Sequence, residues 1–153
     1  MATAVPDPAD LDFAARITGH RERRPADWRV VENADLASVL GETTHGTTLV
    51  DDLGTWLTAV IDARDAWDAP RGTVSPDTDR LVATVARYPG RLVIVSPEVG
   101  LGVIPATRSG RLFRDEIGTL NQRVAAVCED AVLVVAGRTL RLDQRGRSSR
   151  HNL

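Results

Sequence analysis

With 153 residues, 42% hydrophobic and 26% charged, the chain has the size and composition of one globular domain with its own core. Its net charge of −2 gives no overall electrostatic pull toward nucleic acid or an anionic membrane surface. A lone cysteine, Cys128, closes no internal disulfide, no apolar run nears the roughly 20 residues that cross a bilayer, and the opening MATAVPDPAD lacks the basic and apolar regions of a secretion signal, so a cytoplasmic protein is expected.

Pro6 and Pro8 open a loop, and Asp7 or Asp10 is placed to cap a helix over 9–24 whose apolar stripe includes Leu11, Ala14, Ala15 and Ile17 and whose end is strongly basic. Pro25 stops that helix. Trp28 to Glu32 is a short strand candidate, and Asp35 is placed to cap a helix over 36–42. The β-branched run 47–50 leads into Asp51 and Asp52 and reads as a buried strand ending in carboxylates. A helix over 55–64 follows, then a Pro- and Gly-bearing loop over 66–76 and a helix over 77–88. Residues 91–96 form an almost wholly apolar strand. Beyond a Gly-rich loop, 108–128 is a long helix with Leu112, Phe113, Ile117, Leu120, Val124 and Val127 roughly on one side. The run 131–136 is a further buried strand, Gly137 turns the chain into a short strand over 138–142, and the polar tail 143–153 reads as disordered. Helices alternating with all-apolar strands predict a mostly parallel sheet covered on both faces, in a single domain over 1–142.

Ligands of open α/β sheets bind beyond the carboxyl ends of the strands, and three segments carry chemistry there. Asp51 and Asp52 stand where a carboxylate holds Mg²⁺ on a nucleotide phosphate, although capping of the next helix explains an acid there equally well. Ser96 to Pro105 contains Gly100 and Gly102, which admit close backbone approach to a ligand, and Glu98 is a polar group in apolar company; an ordinary glycine loop fits the same residues. His20-Arg21-Glu22-Arg23-Arg24 offers forked donors for a triphosphate and an imidazole able to act as nucleophile. A solvated, dipole-complementing helix end is the simpler account of that run. The arginines do not cluster on one element beyond 21–24 and aromatics are only 4%, which argues against a nucleic-acid-binding protein.

Taken together the segments resemble one family, the bifunctional adenosylcobinamide kinases/adenosylcobinamide-phosphate guanylyltransferases of cobalamin biosynthesis. Thr3 with Ala15 to Pro25, Trp28 and Glu32 is similar to that family's ATA…aRI..HR..RP..W..vE block, and Val50 to Leu57 to its vDclt.Wl block. Glu98 to Pro105 resembles NEVGlGiVP, Arg111 to Gln122 resembles R.FRD..G..NQ, and Ala131 to Gly137 resembles the vylVvaG strand.

The resemblance implies an α/β fold of the RecA-like P-loop NTPase type and two reactions. In the first, ATP or GTP phosphorylates adenosylcobinamide. In the second, GTP guanylylates a histidine and the GMP passes to adenosylcobinamide phosphate. It places the nucleophile at His20, nucleotide contacts at Thr3, Arg21, Glu22, Arg23, Arg24, Glu32 and Asp51, and Mg²⁺ at Asp51, and it implies a homo-oligomer.

Two departures stand out. Pro97 occupies the place of the family's usual asparagine. The opening strand and its G-x-x-x-x-G-K-[ST] loop are missing, roughly one βαβ unit of about 30 residues; all 19 basic residues are arginine, so no P-loop lysine lies anywhere in the sequence. The resemblance therefore carries the expectation of weak kinase activity, of weak guanylyl transfer by the chain alone, and of an exposed sheet edge or apolar face. A non-catalytic nucleotide-binding or structural remnant of the family is the alternative reading.

Overall fold

The computed structural model describes residues 1, 19, 25–32, 35–43 and 46–142. Helix α1 (Leu36–Glu42) starts at Asp35, whose carboxylate accepts the Ser38 amide at 3.1 Å. It leads to β1 (Thr47–Val50), α2 (Leu53–Ala63), α3 (Ser75–Val85), β2 (Arg91–Ile94), α4 (Arg108–Val127), β3 (Val132–Val135) and β4 (Arg138–Arg141). Each boundary has a local cause. Asp52 caps α2, Pro76 lies in the first turn of α3 where its missing N–H costs nothing, and the Thr107 hydroxyl accepts the Gly110 amide at 3.1 Å to start α4. Ala136 and Gly137, both at positive φ, make the two-residue turn that folds β3 onto β4 in antiparallel register with Val135 opposite Arg138.

Strands β1 and β2 run parallel, with Val50 opposite Ile94, and the two helices α2 and α3 form the crossover that parallel pairing requires. On the side of β1 away from β2, the Met1 amino group donates to the Leu49 carbonyl and the Met1 carbonyl accepts the Asp51 amide. Alternation then decides what is buried. Val50, Leu92 and Ile94 share the face that meets the core, while Val93 and Val95 on the other face are 43% and 44% exposed. Helix α2 contributes Leu53, Trp56, Leu57 and Ile61 to that core at helical spacing. Leu36 and Leu40 enter from α1, Leu81 and Val85 from α3, and Ile117, Leu120 and Val124 from α4.

The chain is α/β as expected, with helices and a parallel β1–β2 pair, and two other expectations are corrected. The described residues show less of the sheet than expected. They form one two-stranded parallel sheet and a separate antiparallel hairpin. The run 131–136 is not a buried strand: Val132, Val134 and Val135 are 49–60% exposed, because no helix of the described residues packs substantially on β3. Trp28 to Glu32 is not a strand either. A turn from Pro25, closed by the Trp28 amide, leaves Trp28 and Val30 exposed without a paired neighbour, and only Glu32 makes an isolated bridge. Apart from Gly19, which is helical, the helix expected over 9–24 lies outside the described residues, as does the tail 143–153, and the other elements fall within about three residues of their expected limits.

Candidate active site

The strand order brings two chain segments to one edge. Val95 donates its amide to the Val50 carbonyl at 2.9 Å, and its own carbonyl accepts the Leu53 amide at 3.0 Å. The exit of β2 is thereby tied to the segment carrying Asp51 and Asp52, which are joined by a cis peptide.

The two neighbouring acids have different jobs. Asp52 is a helix cap, its Oδ1 accepting the Thr55 amide at 2.9 Å. Asp51, half-buried at the end of β1, uses its amide to reach Met1, and among the described residues its carboxylate takes no hydrogen bond or ion pair. A carboxylate left unengaged at a strand's carboxyl end is a group available to a ligand. Among the described residues no cluster of three or more His, Cys, Asp or Glu exists. A lone carboxylate still suits Mg²⁺, which keeps much of its water shell and takes one or two carboxylates together with substrate phosphates.

Glu32, the other described member of the expected nucleotide set, is exposed. His20, Thr3, Arg21, Glu22, Arg23 and Arg24 lie outside the described residues. Cys128 is no competing nucleophile: burial pushes its thiol up, which keeps the thiolate scarce at neutral pH.

The loop leaving β2 is held by polar groups. Asn121 of α4 donates to the Pro97 carbonyl at 3.1 Å while its Oδ1 accepts the Ser96 hydroxyl at 2.5 Å. Glu98 turns back on its own loop, accepting the Gly100 amide at 2.6 Å, and so does not reach outward as a free acid. Arg114 donates to the Gly100 carbonyl at 3.0 Å, and Arg111 to the carbonyls of Pro105 and Ala106 at 3.0 and 2.7 Å. Arg108 extends the row, pairing with Asp68 and reaching the Trp67 and Ala69 carbonyls. The R.FRD..G..NQ motif contains Arg111, Arg114 and Asn121 but by itself gives them no role. The spacing of three between Arg108, Arg111 and Arg114 was the available signal, since it stacks them along one face of a helix.

The family profile described as cobinamide kinase / cobinamide phosphate guanyltransferase matches residues 1–142. The chain is 36% identical over 137 residues to the bifunctional adenosylcobalamin biosynthesis protein CobP of Pseudomonas aeruginosa, covering 88% of this chain and 76% of that protein. It is 37% identical to the CobU proteins of Salmonella typhimurium and Escherichia coli, over 142 and 144 residues, covering 84% of this chain and 77% of each. With a match over nearly its whole length and such identities, the chain belongs to the cobinamide kinase / cobinamide phosphate guanyltransferase family, a family of kinase and nucleotidyltransferase enzymes.

Proposed function

We propose that the chain serves cobalamin biosynthesis as an adenosylcobinamide-phosphate guanylyltransferase coupled to an adenosylcobinamide kinase, with a RecA-like arrangement in which β1 is the strand carrying the metal-binding acid. The observation that carries the reading is the Asp51 carboxylate at the carboxyl end of β1, unengaged among the described residues, beside an Asp52 that caps α2.

In this reading an imidazole nitrogen of His20 attacks the α-phosphorus of GTP. A P–N bond forms and pyrophosphate leaves. A phosphate oxygen of adenosylcobinamide phosphate then attacks the same phosphorus, the P–N bond breaks, and adenosylcobinamide-GDP departs with His20 restored. Arg21, Arg23 and Arg24 supply forked donors to the phosphoryl oxygens, with Thr3, Glu22 and Glu32 completing the nucleotide contacts. Asp51 would hold Mg²⁺ against the phosphates, which neutralises charge there. A cytoplasmic homo-oligomer is part of the same proposal; among the described residues no helix is long and apolar enough to cross a membrane.

The test is incubation of the purified chain with GTP labelled at the α-phosphate. Acid-labile label that disappears in His20→Ala and drops sharply in Asp51→Asn supports the reading. Binding of GTP with no label on the wild-type chain supports a non-catalytic remnant instead.

A further inference from the structure

The loop over 97–106 combines two features that seldom occur together. Its backbone is fixed, with Pro97, Gly100, Pro105 and Ala106 all held through their carbonyls by Asn121, Arg114 and Arg111. Pro105 also lies against α4, its Cβ 2.8 Å from where a Cβ on Gly110 would sit. Yet the side chains between these anchors point away from the protein: Leu101 is 80% exposed, Val103 94% and Ile104 71%. The backbone amides of Leu101, Val103 and Ile104 also find no acceptor among the described residues. A mobile loop would fold such side chains back onto the protein. A clamped loop that holds them out, with unused amide donors between them, is built to receive a surface that is apolar with polar groups at its rim.

The position of the loop selects the occupant. It begins two residues after Val95, which is hydrogen-bonded to both Val50 and Leu53 on either side of Asp51 and Asp52. Whatever rests on the loop therefore lies next to the proposed phosphoryl-transfer edge. The nucleotide offers mainly charge and one base. The acceptor substrate of the proposed reaction is a corrinoid, a broad macrocycle whose faces carry methyl groups and whose rim carries amides, and that chemistry matches bare aliphatic side chains and free N–H groups.

Resting on the function proposed above, we infer that Leu101, Val103 and Ile104 form the platform that binds the corrin ring of adenosylcobinamide and its phosphate. The side arm bearing the reacting group is thereby directed toward the Asp51 edge. Asn121, Arg111 and Arg114 act as positioning residues for the platform.

The experiment titrates the full chain with adenosylcobinamide, and separately with GTP, by calorimetry. It compares wild type, Leu101→Ser/Val103→Ser, the conservative Leu101→Met/Val103→Ile, and Val134→Ser as an equally exposed apolar control on β3. Removing two aliphatic contacts should weaken corrinoid binding about tenfold or more, leave GTP binding within about twofold, and leave the melting temperature unchanged, while the conservative variant and Val134→Ser bind as wild type.

Equal corrinoid affinity in the serine variant overturns the platform, as does an equal loss in Val134→Ser. If the serine substitutions dissociate an oligomer on gel filtration and spare corrinoid binding, a second copy of the chain covers the loop and the inference fails. A wild-type chain that binds GTP but no corrinoid overturns the platform while leaving nucleotide chemistry standing. Binding of neither ligand defeats the function proposed above.

Discussion

The Pro97 ring fills the space beside Gly54: a Cβ added at Gly54 would lie 2.7 Å from Pro97 Cγ and 3.1 Å from its Cδ. Pro97 occupies the place of the family's usual asparagine, and its ring fits only because position 54 carries no side chain, since a proline ring cannot move aside as a flexible chain end would. Gly54→Thr alone is expected to destabilise the chain by about 1–3 kcal/mol through overpacking, and Pro97→Asn in the same chain to recover much of that loss. Urea unfolding of the two single variants and the double variant measures the coupling. Purely additive losses would show that the contact is not shared.

Asp51 and Asp52 separate function from stability. Asp52→Ala removes the cap on Thr55 and should cost about 1 kcal/mol of stability. Asp51→Asn removes no side-chain partner among the described residues and should leave stability within about 0.5 kcal/mol. Guanylyl transfer should respond the other way, falling about 100-fold or more in Asp51→Asn. Melting curves and label incorporation on the same preparations decide the assignment. A strongly destabilised Asp51→Asn chain would mean that the acid is structural.

How far this was legible in the sequence differs from element to element. Residues 36–42, 47–50 and 108–127 announce themselves through Asp35, the β-branched run ahead of two acids, and an apolar stripe behind Thr107. Periodicity reports which faces are apolar and not what covers them, so the all-apolar runs at β2 and β3 predicted burial where the described residues leave Val93, Val95 and Val134 open. Trp28 to Glu32 shows the same gap: β-propensity without a strand beside it among the described residues gives no more than the isolated bridge at Glu32. At the site, residue type and spacing left Asp51 and Asp52 equivalent and only the family resemblance picked Asp51, because capping is decided by which carboxylate meets the Thr55 amide, a matter of geometry. The assignment of His20 and Arg21 to Arg24 came from family resemblance alone, and those residues lie outside the described ones.

The absence of lysine bears on the first of the two family reactions. The P-loop lysine reaches the β- and γ-phosphates of a phosphoryl donor, and none of the 153 residues is a lysine. Phosphorylation of adenosylcobinamide by the purified polypeptide, followed with ATP or GTP labelled at the γ-phosphate, should fall far below guanylylation of His20. A kinase rate equal to the guanylylation rate would mean that another group, such as an arginine, takes over that contact.

Asp35 links stability to acid. Its carboxyl is held below the ordinary aspartate value first by the Ser38 hydroxyl, with the Ser38 amide and the Arg80 guanidinium adding to the effect against some desolvation. A depressed folded-state value contributes stability that is full above the unfolded aspartate range and is lost as pH falls through the folded value. Because the side chain is half exposed and the Arg80 pair is surface-screened, the contribution is mainly that of a cap, about 1 kcal/mol. The stability gap between wild type and Asp35→Ala should be constant near neutrality and narrow below about pH 4. A gap unchanged down to pH 2 would remove the carboxylate from the account of the α1 start.

The exposed valines set the solution behaviour of the polypeptide. Val93 and Val95 on one face of β2, and Val132, Val134 and Val135 on β3, are each between 43% and 60% exposed on short strands that carry unpaired edges among the described residues. Apolar side chains on an open edge favour pairing with another chain. We expect the purified chain to self-associate as concentration rises, and Val93→Lys with Val134→Lys to shift it toward monomer without lowering its melting temperature, since neither valine is buried. Sedimentation of wild type and the double variant over a range of concentrations tests this. A wild-type chain that stays monomeric throughout would show that these strands are covered within the chain itself, and the open faces would then cease to explain any assembly.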